Sequence, residues 1–153
     1  MADLSHVRPD GTVQMVDVGG KAVTRRRAVA EGFLRWLPVH RDAVGKLPKG
    51  DAITIAQIAG IQGGKRCADL IPLCHPLGLS HLDVRLAVEP DGVRIEAEAS
   101  TDSQTGVEME AYTAVVVAGV TLIDMLKGVD PDLTLEGVRL LEKTGGKTPW
   151  KRA

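Results

Sequence analysis

The sequence predicts an α+β fold in which helices pack on one face of an antiparallel sheet, and three observations carry that prediction. The stretches on either side of Pro90-Asp91-Gly92 alternate apolar and polar residues with period two, the pattern of a hairpin with one buried and one wet face. A long uncharged run of helical composition lies between Glu110 and Asp124. With their neighbours these segments follow the order strand, helix, strand, strand, helix, strand, the split βαββαβ arrangement called ferredoxin-like. One domain should span all 153 residues, because chains of about 100–200 residues fold as single units and no linker interrupts this one.

Residues 1–22 mix Pro, Gly and charge around one short apolar alternation, Val13 to Val18, and are expected to form a mobile arm outside the core. From Thr24 to Leu34, Ala28, Ala30 and Gly32 alternate with Val29, Glu31 and Phe33, which favours a first strand although alanine also suits a helix. Asp51 is placed to cap the first helix at Ala52; Ile53, Ala56, Ile58, Ala59 and Ile61 supply its apolar positions, Gly63-Gly64 weakens its middle and Pro72 ends it. In the hairpin, Leu82, Val84, Leu86 and Val88 face inward on one strand and Val93, Ile95, Ala97 and Ala99 on the other. Thr105 and Glu108 have the spacing of a capping box, opening a second helix that runs to about Lys127. The thirteen uncharged residues of that helix fall short of the roughly 20 a membrane span needs, so burial within the protein is expected. Leu135 to Leu141 is a short apolar run suited to the closing strand.

Composition excludes several function classes. Nineteen Lys and Arg against twenty Asp and Glu leave a net charge of −1, so the molecule lacks the basic body that sequence-independent nucleic-acid binding requires. Aromatic residues are only 3%, too few for base-stacking platforms or membrane-interface belts. Neither a nucleic acid nor a membrane is expected as a partner. Asp3, Arg8 and Asp10 precede any apolar run, and two cysteines are too few for a disulfide scaffold, which together favour a cytoplasmic protein. Cys67 and Cys74, with His75 and His81, have the residue types of a zinc site. Their cysteine spacing exceeds the usual two to four residues, so no metal site is predicted and the cysteines are read as buried apolar side chains.

The remaining signals concern anions and proton transfer. The segment Gly60 to Arg66 has the wrong spacing for a phosphate loop, but two Gly-Gly-Lys tripeptides, ending at Lys65 and Lys147, can bring backbone N–H groups and an ammonium to an anion. His75 lies between Pro72 and Pro76, which restrict the backbone and can hold its ring in one orientation. Lys49 occupies a tight turn before a helix start, a suitable place to meet phosphate. Asp124 and Lys127 share a helix face. Lying among Ile123, Met125 and Leu126, Asp124 is read as a functional carboxylate in apolar surroundings, the alternative being an exposed ion pair in the last helical turn. Glu110, in the first turn, is not needed for capping. Unaided, these residues suit a phosphorylated metabolite without specifying a reaction.

A resemblance goes further. Lys49-Gly50-Asp51, Asp69 to Leu77 with its Leu73-Cys74-His75-Pro76 core, Gly106-Val107-Glu108-Met109-Glu110, Asp124-Met125-Leu126-Lys127 and Gly145-Gly146-Lys147 occur in one order along nearly the whole chain. In these segments the sequence resembles the molybdenum cofactor biosynthesis protein C family, the cyclic pyranopterin monophosphate synthases. Three segments depart from the family pattern: Gly63-Gly64 stands where two alanines are usual, Ile123 replaces a tyrosine, and Thr148-Pro149 replaces Ser-Gly. The resemblance implies a lyase that converts 3′,8-cyclo-7,8-dihydro-GTP to cyclic pyranopterin monophosphate and pyrophosphate. It also implies a homo-hexamer, a trimer of dimers, with sites at subunit interfaces. Carried over, catalysis falls to Asp124 with Lys49 and Lys127. Leu73, Cys74, His75, Met109 and Glu110 would line the substrate pocket, with Lys65 and Lys147 on its phosphates. No organic cofactor is implied, though magnesium can accompany the triphosphate. The rival from another class is a non-catalytic ferredoxin-like module that binds a nucleotide as a sensor.

Overall fold

The computed structural model describes residues 5–44 and 47–153. In chain order the elements are β1 (Thr24–Arg35), a 3-10 turn (Pro38–Ala43), α1 (Ala52–Lys65), α2 (Cys67–Leu70), β2 (His81–Glu89), β3 (Gly92–Ser103), α3 (Glu108–Leu126), β4 (Thr134–Thr144) and β5 (Trp150–Lys151). The strands form one sheet in the order β2-β3-β1-β4-β5, with every neighbouring pair antiparallel. The first four in that order make the ferredoxin-like sheet, and α1 and α3 supply its helical layer.

The period-two pattern of the sequence decides which sheet face is covered. Ala28, Ala30 and Leu34 of β1, Val84 of β2, and Val93, Ile95, Ala97 and Ala99 of β3 are buried, together with Ala111, Ala114, Val115, Ala118 and Leu122 of α3. The opposite face is a lattice of ion pairs. Arg27 donates two hydrogen bonds of 2.8 Å to Glu98, and Arg139 reaches Glu31 at 2.6 Å. Counted with its charged ends, the 19-residue α3 is long and apolar enough to cross a membrane, but it is a core helix packed on the sheet and α1.

Three local expectations are corrected. Asp51 does cap α1, accepting hydrogen bonds from Ile53 N and Thr54 Oγ1, but the helix stops at Lys65 and turns through Arg66 into the short α2 instead of continuing to Pro72. Gly63 and Gly64 lie in the last turn of α1 rather than in its middle, and both are buried. They let it lie close against α3 and β2: a Cβ at Gly63 would meet Val117 of α3 at 2.6 Å, and one at Gly64 would meet Leu82 of β2 at 2.7 Å and the Glu110 carbonyl of α3 at 3.1 Å. The capping box does not form, because Val107 occupies the N-cap of α3 without a side-chain cap. Val107 is 1% exposed, so burial of an apolar residue fixes the helix start, and Glu108 is left to pair with Lys143 at 3.2 Å. The two-residue β5 has no hydrophobic alternation by which to be foreseen; its residues pair with Glu142 and Lys143 at the sheet edge.

Candidate active site

The long helix α3 carries two groups of functional side chains, one at each end. At its C-terminal end Lys127 Nζ lies 2.7 Å from Asp124 Oδ1, and Lys49 Nζ donates to the Asp124 carbonyl at 3.3 Å. The structure thus brings together the three residues expected to share catalysis. It corrects the expected surroundings of Asp124, whose side chain is 62% exposed. Sequence neighbours are not face neighbours on a helix: about 100° of rotation per residue sends Leu122, Met125 and Leu126 into the core and turns Asp124 to solvent. The hydrogen bond from Lys127, then its charge and that of Lys49, hold the Asp124 carboxyl below the usual carboxylate range. An ionised carboxylate flanked by two ammoniums can accept a proton and return one, the requirement of acid-base chemistry.

The N-terminal end of α3 is built differently. Glu110 is only 3% exposed; its Oε1 accepts from the Cys74 thiol at 3.7 Å, while Oε2 is buried with no hydrogen-bond partner. Burial pushes the Glu110 carboxyl above its ordinary value. Burial also pushes the Cys74 thiol up to about 12, with the charge of Glu110 adding to it. Cys74 arrives on the loop after α2, and Cys67, on α2, lies 3.7 Å from it, sulfur to sulfur. Among the described residues these three are the one group of metal-type donors that converges; neither His75 nor His81, whose residue types accompany the cysteines in the sequence, belongs to it. His75 instead donates from Nε2 to the carbonyl of Val16 at 2.8 Å, pinning the N-terminal arm beside the site.

Two cavities flank this helix end. One, of about 320 Å³, is lined by Gly64, Lys65, Arg66, Cys67 and Glu110 among others. The other, of about 550 Å³, is lined by Lys21, Arg26, Lys143, Lys147 and the Gly145-Gly146 turn. Both glycines have positive φ, +85° and +71°, a backbone that other residues rarely adopt. Lys65 and Lys147 therefore border separate cavities. Leu73 is half-buried and Met109 is 39% exposed at the start of α3. Sequence reasoning missed Lys21, Arg26 and Lys143, although the run Arg25-Arg26-Arg27 opening β1 was a visible sign of local positive charge.

Glu110 and Asp124 are fourteen residues apart on one helix. At about 1.5 Å per residue that is roughly 21 Å along the axis, far beyond the contact distance of groups serving one reacting atom.

The buried carboxyl of Glu110 has a measurable consequence. Its folded-state pKa is raised, so the native protein holds a proton that the unfolded chain releases above the ordinary value of 4.5. Stability is therefore expected to fall as pH rises from 4.5 through the raised value. Glu110→Gln should remove that part of the decline, and thermal unfolding of both proteins across this range checks it. Parallel profiles would show that burial of Glu110 does not penalise its charge.

The MoaC family matches residues 15–146. Three relatives bear the name cyclic pyranopterin monophosphate synthase. The protein from Corynebacterium efficiens is 53% identical over 97% of each chain. That from Novosphingobium aromaticivorans is 50% identical over all of this chain and 99% of its own. That from Roseiflexus sp. is 49% identical over 97% of this chain and 96% of its own. With this family matched over 132 of 153 residues and relatives alike from end to end, the chain belongs to the MoaC family.

Proposed function

We propose that this chain is a cyclic pyranopterin monophosphate synthase of molybdenum cofactor biosynthesis, a lyase converting 3′,8-cyclo-7,8-dihydro-GTP to cyclic pyranopterin monophosphate and pyrophosphate. The observation that carries the reading is the convergence of Lys49 and Lys127 on Asp124, in a chain whose relatives bear that name end to end. Rearranging the guanine-derived ring needs proton transfers at nitrogen and an activated water, which Asp124 and its two lysines are equipped to share. Closing the cyclic phosphate needs a sugar hydroxyl to attack the α-phosphorus while pyrophosphate leaves, and ammonium groups stabilise the charge that develops. Lys65 and Lys147 are assigned to the phosphates, and Leu73, Cys74, His75, Met109 and Glu110 to the substrate's remaining surface. Protein side chains carry the chemistry, and any magnesium enters with the triphosphate. The two thiols are compatible with a reducing cytoplasm.

The active unit is a homo-hexamer, a trimer of dimers, in which the C-terminal end of α3 from one chain meets the N-terminal end from another. The separation of the two half-sites supports this arrangement. So does the outer surface of the helical layer, where α3 leaves Val116 and Val120 exposed one turn apart and α1 leaves Ile58 exposed. Incubation of the purified protein with the cyclic dihydro-GTP intermediate should release stoichiometric pyrophosphate and the cyclic phosphate pterin. Binding of the intermediate without turnover would instead indicate a sensor module.

A further inference from the structure

Cys67 on α2, Cys74 on the following loop and Glu110 in the first turn of α3 come from three separate segments, yet their donor atoms all lie within 4.8 Å of one another. The two sulfurs are 3.7 Å apart, and Cys74 Sγ is 3.7 Å from Glu110 Oε1. A tetrahedral zinc ion, with Zn–S of about 2.3 Å and Zn–O of about 2.1 Å, sets ligand edges of about 3.8 Å between sulfurs and about 3.6 Å between sulfur and oxygen. Both observed separations match those edges.

A second observation points to a ligand. Glu110 is 3% exposed and its Oε2 has no hydrogen-bond partner, a costly state for a buried carboxylate that a cation would relieve. Thr113 Oγ1 donates to Cys67 Sγ at 3.4 Å, the kind of outer hydrogen bond that orients a metal ligand. The cavity of about 320 Å³ borders Cys67 and Glu110 and leaves room for a further ligand.

We propose that Cys67, Cys74 and Glu110 form a three-ligand site for a thiophilic divalent cation, zinc by preference, with its fourth position open to this cavity. Two thiolates and one carboxylate favour zinc over magnesium or calcium, which take oxygen donors. Binding releases both thiol protons to solvent, leaving the ion and its three anionic ligands with one net negative charge. Lys65 and Arg66, both exposed, line the wall of the same cavity. The donor set was hidden in the sequence because Glu110 lies 36 residues beyond Cys74.

The test reads the ion rather than turnover, so its failure leaves the proposed reaction standing. Thiol-reduced, chelator-treated protein is titrated with Co²⁺ as a spectroscopic substitute for Zn²⁺. One Co²⁺ per chain should give thiolate-to-cobalt charge-transfer absorption, which added Zn²⁺ abolishes by displacement. Cys67→Ser and Cys74→Ser should each halve that absorption per bound ion and weaken binding by about tenfold or more. Glu110→Gln should weaken binding and keep the full sulfur band. Circular dichroism verifies each fold, with Cys67→Ala taking the place of a serine variant that misfolds. Absence of the band from the wild-type protein, or a band that neither cysteine substitution alters, overturns the site.

Discussion

Asp124→Asn is expected to lower the turnover number by about a thousandfold, within the range of roughly 10²–10⁴ that a positioned acid-base group contributes. The amide keeps the size and shape of the carboxylate, so substrate affinity should change little while proton transfer is lost. Folding should be unaffected, because the Asp124 side chain is exposed and Lys127, with which it forms an ion pair, is equally exposed. The measurement is kcat, substrate affinity and Tm for the wild type and the variant. A collapse of kcat with the other two retained separates chemistry from both binding and stability. Retention of most of the wild-type kcat would remove Asp124 from the mechanism, leaving Lys49 and Lys127 with an electrostatic role alone.

How much of this was legible in the sequence depended on whether the relevant contacts are local. The β2-β3 hairpin is visible because a sheet with one face wet enforces strict alternation, and Arg85, Glu96 and Glu98 mark the solvent side as clearly as Val84, Ile95 and Ala97 mark the core. The ambiguous segment from Thr24 resolved as β1 because it pairs on both sides, with β3 and β4, and no local propensity records that. Gly63-Gly64 looked like a weakness when only α1 was considered and became a close-packing surface once α3 lay against it. The surroundings of Asp124 were misread for the opposite reason: its chain neighbours are apolar, but helix rotation puts them on another face. Lys49 and Asp124 lie 75 residues apart, so their contact belongs to the tertiary structure; family resemblance named both residues without that geometry.

In the proposed hexamer one active centre takes Glu110 and Asp124 from different chains. Within one chain the two lie roughly 21 Å apart along α3, whereas groups acting on one reacting centre must approach to about 3 Å. Side-chain tilt does not close the gap, because both side chains lean toward the helix N-terminus. The decisive measurement mixes two proteins, Glu110→Gln and Asp124→Asn, each inactive alone, after joint unfolding and reassembly into oligomers whose mixed composition is confirmed by mass. With equal amounts and random assembly, about one quarter of shared sites would draw an intact Glu110 from one chain and an intact Asp124 from its neighbour. Recovery of about a quarter of wild-type activity, against none for either protein reassembled alone, is the predicted result. Confirmed mixed oligomers that regain no activity would place both carboxylates of each working site in the same chain and contradict the claim.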